Sequence, residues 1–428
     1  MTLLVLLGTL LALAAFGTPL AFAILGSCFA TLALFRPGLP LELVAQQFVK
    51  GIDNLPLTAI ALFLLAGELM NSGGVTGRIV QFASALVGHI RGGLGHVSVV
   101  ASMIISGISG SAVADGAAVG AVMVPAMRRG GFPPAFAAAV CETAAVMGPI
   151  IPPSIPMVVY GILVEVSVGR LFVAGIVPGL LIGVLLMVVL YIVARRRDFP
   201  RGQWQGFGHV GRSFVAAFAA LLTPLIVIGG ILAGAFTATE AGVVAVVYCV
   251  VIGILVHREL TLGHLATALV NSANGTAMVM VIVGASQLMG WIVADLRINQ
   301  AAGDLIFSMT QNPVVFLTIV NVFFLIVGLF MDPLAALIVL VPILLPTATS
   351  MHIDPVHFGL VVVLNLMIGL CTPPVGYLIY MLAGIAKEPP SRVIKESLPF
   401  LAALLVALAA VTYIPALSLS LGRVIYGS

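Results

Sequence analysis

The chain has 428 residues, of which 61% are hydrophobic and 8% charged, with a net charge of +3. A soluble globular chain averages about a quarter charged residues, so this is a polytopic membrane protein. The only dense basic cluster, Arg195-Arg196-Arg197, directly follows an apolar run, and the four cysteines form no CxxC pair; nucleic-acid binding, zinc and disulfide frameworks are therefore excluded.

Taken in order, the apolar runs lie at roughly 2–16, 18–35, 55–70, 94–108, 112–127, 134–164 and 171–194. The first has no basic residue before it and another apolar run directly after it, so it reads as a span and not a signal peptide. A polar stretch, 195–213, follows and reads as a linker. The pattern then begins again: roughly 214–236, 238–256, 274–294, 313–330, 333–350, 357–386 and 398–421. Shorter amphipathic pieces at 41–49 and 262–273 are expected to lie in the interface as flat arms.

Two of the runs carry paired prolines in their middle. The first reads Gly148-Pro149-Ile150-Ile151-Pro152-Pro153-Ser154, the second Gly369-Leu370-Cys371-Thr372-Pro373-Pro374-Val375. Proline deletes a backbone donor and pushes its ring into the preceding turn, so each helix must break there. Irregular backbone at membrane depth is tolerated only when buried in protein or lining a cavity. Broken helices at matching places in two halves of a chain point to a transporter's binding site.

The halves do match. A shift of 221 residues (328 − 107) carries Gly107 onto Gly328, Pro125 onto Pro346, Gly148 onto Gly369, and Pro152-Pro153 onto Pro373-Pro374. Runs 94–108 and 112–127 are too short to cross comfortably and are separated by Ser109-Gly110-Ser111, which predicts a re-entrant hairpin. The second hairpin is expected to turn near Phe330-Met331-Asp332-Pro333. Each half then has five crossings, and an odd number makes the halves inverted copies. The expected fold is thus an all-α polytopic membrane protein with two inverted repeats, 1–194 and 214–428, joined by the linker 195–213. With the linker cytoplasmic, 13 of the 18 basic residues fall inside, the exceptions being Arg36, Lys50, Arg170, Arg297 and Arg423. That is the bias of the positive-inside rule.

The candidate chemistry sits at the tips and breaks. The first tip offers Ser109, Ser111 and Asp115, and a mid-membrane carboxylate is costly enough to mark an ion or substrate role. Small residues and a capping serine alone would make an ordinary tight turn. Asp332 at the second tip can ligate an ion, cap the helix that Pro333 begins, or do both. Ser154, Asn365 and Thr372 flank the breaks and are substrate or ion candidates, though such residues also serve as bonds between helices. Glu68, Glu142 and Glu240 are weaker candidates as ion ligands. No basic residue occupies a tip or break, so an anionic substrate would meet backbone N–H groups, half-helix N-termini and hydroxyls. No HExxH motif or phosphate-binding GxxxxGK[ST] loop occurs, so no cofactor is expected and the energy must come from an ion gradient or another subunit.

As a set, Gly67-Glu68-Leu69-Met70-Asn71-Ser72-Gly73-Gly74, the tip 106–115, the break 148–154, Met331-Asp332-Pro333 and Thr372-Pro373-Pro374 resemble the large membrane subunit of tripartite ATP-independent periplasmic (TRAP) transporters, dicarboxylate type. The resemblance covers nearly the whole chain. It implies sodium-coupled import of an organic acid, such as a dicarboxylate or sialic acid, across a bacterial inner membrane. It implies two partners: a small four-helix membrane subunit, here a separate polypeptide, and a periplasmic substrate-binding protein. It implies an elevator motion, for which the moving unit is expected to be roughly 93–190 with 312–425. It also implies two sodium clamshells, one using Ser109, Ser111 and Asp115 near Gly148 and Pro152, the other Gly328 and Asp332 near Gly369 and Thr372. Two rivals remain at this level: a stand-alone anion or citrate-type carrier of the same architecture, and an intramembrane aspartyl protease, which would need the carboxylates of Asp115 and Asp332 about 3 Å apart.

Overall fold

The computed structural model describes residues 2–53, 55–297, 310–329 and 331–427. Phe330, at the expected second turn, lies outside them. The described residues form helices and no strand; Arg91 and Arg201 make one isolated bridge.

The first half runs α1 (Thr2–Ala15), α2 (Leu20–Phe35), α3 (Leu41–Ile52), a 3-10 turn (Leu55–Leu57), α4 (Thr58–Ser72), α5 (Val75–Val87), α6 (Gly93–Ser109), α7 (Ala112–Arg129), α8 (Pro134–Ala145), α9 (Ile155–Val164) and α10 (Val168–Arg196). The second runs α11 (Phe207–Leu232), α12 (Ala238–Val251, closing in a π turn Ile252–Val256), α13 (Leu262–Asp295), α14 (Pro313–Gly328), α15 (Pro333–Ser350), α16 (Pro355–Gly369), α17 (Tyr377–Ala386), α18 (Pro390–Tyr413) and α19 (Ala416–Tyr426). Six of these are long and apolar enough to cross a membrane, or up to seven if α4 and α5 count as one bent span.

Several starts are written in the sequence. Asn312, Asp332 and Asp354 each cap a helix whose first residue is proline, and Ser111, Ser154 and Ser167 cap α7, α9 and α10. Such caps satisfy orphan N–H groups, and proline at the first position loses no bond that the helix would have made. Helix α7 begins at Ala112 and α15 at Pro333, again 221 residues apart (333 − 112). The same offset separates the starts of α8 and α16 (355 − 134).

The core is built on the broken helices. Every residue from Ala135 to Ala145 of α8 and from His357 to Gly369 of α16 is buried, as expected of helices apolar on all sides. Helix α8 packs against α6, α7, α17 and α18, and α16 against α14, α15 and α18. A second group surrounds α4 and α13, which pack on each other; α12 joins α4, α2 and α3 join α13, and α5 joins α11. The groups meet where α6 touches α4 and α5, and where α15 touches α13.

Three features differ from the sequence reading, and a fourth settles a weak ion candidate as a helix-end carboxylate. Segment 262–273 is no separate arm but the first third of the continuous α13; Gly275 at the expected joint is a weak breaker, and no proline is present. Helix α5 was not expected, because Arg78 and Gln81 interrupt its apolar pattern. It leaves α4 at 72° through Gly73 and Gly74, the latter at φ +72°. The run 398–421 ends at Ile414-Pro415 and restarts as α19. Glu240 forms a capping box with Thr237 at the exposed start of α12, which explains that carboxylate without an ion.

Candidate functional site

Between α6 and α7 the chain turns through Gly110 at φ +65°. A Cβ there would lie 2.6 Å from the carbonyl oxygen of Pro153, so only glycine brings this tip onto the α8–α9 break. The two are also bonded directly, Ile155 N–H donating to Gly110 O at 3.4 Å.

Asp115 sits in the first turn of α7, fully buried. Its Oδ1 accepts a hydrogen bond from Ser109 Oγ, which in turn accepts from Ser111 N–H at 3.1 Å. Its Oδ2 has no hydrogen-bond donor among the described residues. That oxygen faces Gly148, where a Cβ would lie 2.6 Å from it. Ser109, Ser111, Asp115 and Gly148 are therefore brought together around one unpartnered carboxylate oxygen. Pro152 meets the hairpin at Gly107, its carbonyl oxygen 3.7 Å from the Cβ position there, and the Pro152–Pro153 and Pro373–Pro374 bonds are both cis.

At the second tip, Gly328 and Gly369 meet backbone to backbone. Asp332 Oδ1 accepts from Leu334 N–H at 3.0 Å and Ala335 N–H at 3.3 Å, so the cap role is real. Thr372 Oγ1 donates to Ile368 O at 2.7 Å, within its own turn. Asp332 and Thr372 share no hydrogen bond among the described residues.

A cavity of about 550 Å³ lies between the two tips and the two breaks, within the size range of small-ligand sites. Four helix N-termini converge on it: Ala112 and Val113 of α7, Ile155 and Pro156 of α9, Pro333 and Leu334 of α15, and Tyr377 of α17. Each N-terminus carries about half a positive charge; at α9 and α15 the dipole acts without free donors, since Pro156 and Pro333 have no N–H and the N–H groups of Ile155, Met157, Leu334 and Ala335 are already bonded. Ser111 and Asp332 supply side-chain oxygens to the wall, and no basic residue lines it. Asp332 is accessible because it faces this space.

The three substrate candidates lie outside that wall. Ser154 is buried one residue behind Ile155, its hydroxyl bonded to Pro149 O while accepting from Met157 N–H. Thr372 follows the wall residue Leu370. Asn365 is buried and donates to Asn321 Oδ1 at 2.7 Å, while Asn321 donates to Thr412 Oγ1 at 3.0 Å, tying α16, α14 and α18 together. Of the other acids, buried Glu142 accepts from Ser397 Oγ of α18, and Glu68 accepts from Asn271 Nδ2 of α13 at 3.2 Å. Nothing local marks Met278 of α13 or Met367 as wall residues; Tyr377 could have been found, since it begins the helix after the second break.

Asp115 bonds Ser109 while Asp332 bonds backbone N–H groups, and the two carboxylates share no hydrogen bond. The paired-aspartate geometry of a protease is not formed.

The comparisons agree with this architecture. Residues 7–417 match the family model described as "Tripartite ATP-independent periplasmic transporter, DctM component". The chain is 39% identical over 411 residues to the sialic acid TRAP transporter large permease protein SiaM of Vibrio cholerae, covering 96% of each chain. It is 41% identical over 391 residues to the C4-dicarboxylate TRAP transporter large permease protein DctM of Pseudomonas aeruginosa, covering 91% of each. It is 38% identical over 415 residues to the 2,3-diketo-L-gulonate TRAP transporter large permease protein YiaN of Escherichia coli, covering 97% of each. Among solved structures, the YdaH transporter of Alcanivorax borkumensis superposes with a TM-score of 0.62 at 15% identity, covering 90% of this chain and 89% of that one; this likeness concerns the fold. A tripartite family supplies two further components, a small membrane subunit and a periplasmic binding protein. The chain belongs to the DctM family, the large inner-membrane permeases of tripartite ATP-independent periplasmic transporters, and is a transport protein and not an enzyme.

Proposed function

We propose that the chain imports a small organic acid delivered by a periplasmic binding protein, driven by sodium and by an elevator motion. The observation that carries this reading is the convergence of four helix N-termini on a cavity without a basic residue. Helix N-termini bind carboxylates through N–H groups and dipole. The named relatives take sialic acid, C4-dicarboxylates and 2,3-diketo-L-gulonate, all anions.

Sodium is the coupling ion in this reading. The first site uses Asp115, with Ser109, Ser111, Gly148 and Pro152 beside it. An unpartnered buried carboxylate oxygen against a glycine suits a hard cation that takes oxygen ligands. The second site uses Gly328, Asp332, Gly369 and Thr372.

In this reading the linker is cytoplasmic and the two halves are inverted copies. Beyond the charge bias, the ion pairs support it: Arg36–Asp295 joins two outer positions, and Arg78–Glu259, Arg91–Asp198, Arg197–Glu396 and Arg392–Glu388 join inner ones. None would cross the membrane. The moving unit is 93–190 with 312–425, because nearly the whole cavity wall comes from the tips and breaks.

The test is uptake in proteoliposomes holding this chain and its small subunit, with the binding protein added outside and a panel of organic acids. The reading requires uptake that depends on a sodium gradient and on the binding protein. Uptake independent of the binding protein would favour the stand-alone carrier; uptake indifferent to sodium would remove the coupling.

A further inference from the structure

The tip of the first hairpin is pressed against α4, and Gly67 makes this possible. A Cβ on Gly67 would lie 3.3 Å from both Cα and Cβ of Ser109, tighter than ordinary van der Waals contact. Beside this contact runs a crevice of about 50 Å³. That is room for a cation or a water, and far below the volume of an organic-acid site. Its polar lining consists of Glu68 and Asn71 of α4, Thr76 of α5, and Ser109, Ser111 and Asp115 of the hairpin, with no basic residue. Asn271 of α13 holds the Glu68 carboxylate, and Thr76 Oγ1 donates to Asn71 Oδ1 at 3.3 Å. Deeper in, Asp115 is fully buried with one oxygen unpartnered. Glu68 and Asp115 both line this narrow gap, the free Asp115 oxygen being the one set against Gly148, and two carboxylates along one gap draw cations towards it.

We propose that α4 is the landing surface of the first hairpin, with Gly67 seating the tip at Ser109 and Glu68 steering the coupling cation through the crevice between Glu68 and Asp115. This rests on the reading that Asp115 holds that cation. The crevice serves the ion alone and shares only Ser111 with the wall of the central cavity that serves the anion. Glu68 is a positioning and steering residue, since it approaches Asp115 only across the gap.

The test uses the full transporter in proteoliposomes. Glu68→Gln keeps size and hydrogen bonding but removes the charge; it should raise the sodium concentration for half-maximal uptake several-fold while maximal uptake is kept. Gly67→Ala should slow uptake, and Gly67→Val should stop it, in protein that stays monodisperse. Gly77→Val, on α5 with nothing near its Cβ position, should leave uptake intact. Cysteines introduced as Leu64→Cys and Ile108→Cys, both in the crevice wall, should crosslink, and Gly67→Val should suppress that crosslink. Unchanged sodium dependence in Glu68→Gln would overturn the steering role. Unchanged uptake and crosslinking in Gly67→Ala and Gly67→Val would overturn the landing surface. Asp115→Asn separates these from the underlying reading: if it kept normal sodium dependence, the cation at Asp115 would be lost instead.

Discussion

Gly328 and Gly369 face each other so closely that a Cβ on Gly369 would lie 2.7 Å from both the carbonyl carbon and the carbonyl oxygen of Gly328. Both neighbours are backbone, so neither can swing aside. Gly369→Ala should lift the second tip off its break, at a cost of about 1–3 kcal/mol for the overpacked contact. We expect a lower melting temperature and little or no uptake. Gly384→Ala, where nothing lies near the Cβ position, should change neither. Wild-type uptake in Gly369→Ala would mean that the tip need not seat.

Asp115 and Asp332 call for different substitutions. Asp115→Ala and Asp332→Ala should both abolish sodium-driven uptake while leaving membrane insertion intact. Asp332→Ala also loses a helix cap worth about 1 kcal/mol. Asp332→Asn can still accept from Leu334 N–H and Ala335 N–H, so it separates charge from cap. The prediction is that Asp332→Asn restores stability but not sodium-driven uptake. Normal uptake in both alanine variants would remove the two-site assignment.

Trp204 lies in the linker and is about half exposed (45%). In Trp204→Cys, the new thiol should resist impermeant reagents added from the periplasmic side of intact cells and react once the membrane is opened. Ready labelling from the periplasmic side would invert the topology.

Met278 on α13 and Leu329 beside the second tip line the same cavity. Met278→Cys with Leu329→Cys should crosslink in one of the inward and outward states and arrest uptake there. Equal crosslinking in both states, with uptake persisting, would replace the sliding unit with local gating.

Asn365 tests the boundary between site and scaffold. Asn365→Ala removes the 2.7 Å donor of Asn321 Oδ1 and leaves it only the 3.5 Å contact from Thr412 Oγ1, and a buried polar group stripped of a good partner costs about 1–3 kcal/mol. The expected result is a lower melting temperature with an unchanged KM for substrate. A raised KM at unchanged stability would return Asn365 to the binding site.

Much of this fold is legible because membrane helices announce their interruptions. Ser111 and Asp332 mark the turns of the hairpins, and the paired prolines mark the breaks, each by deleting or capping specific N–H groups. What stayed hidden depends on contacts between distant segments. The amide of Asn365 points towards Asn321 and Thr412 instead of the cavity, and the order of residues does not specify that orientation. Helix α5 escaped because Arg78 reads as a loop charge until Glu259, 181 residues later, is seen to pair with it. Glu142 reads as a possible ligand until Ser397 of α18 is found against it. Met278 lies at mid-helix with no local mark, and only the fold brings it to the cavity.

Under the proposed elevator motion, Met278 would give the cavity a removable wall. The tips and breaks would carry the anion as one cup, but the thioether belongs to α13, which stays behind if the cup slides. The substrate would then press against methionine at one end of the stroke and against other side chains at the far end. A bulkier acid would feel that exchange more than a compact one. Loading and unloading strengths could therefore be tuned separately, by residues on α13 that never travel with the cargo.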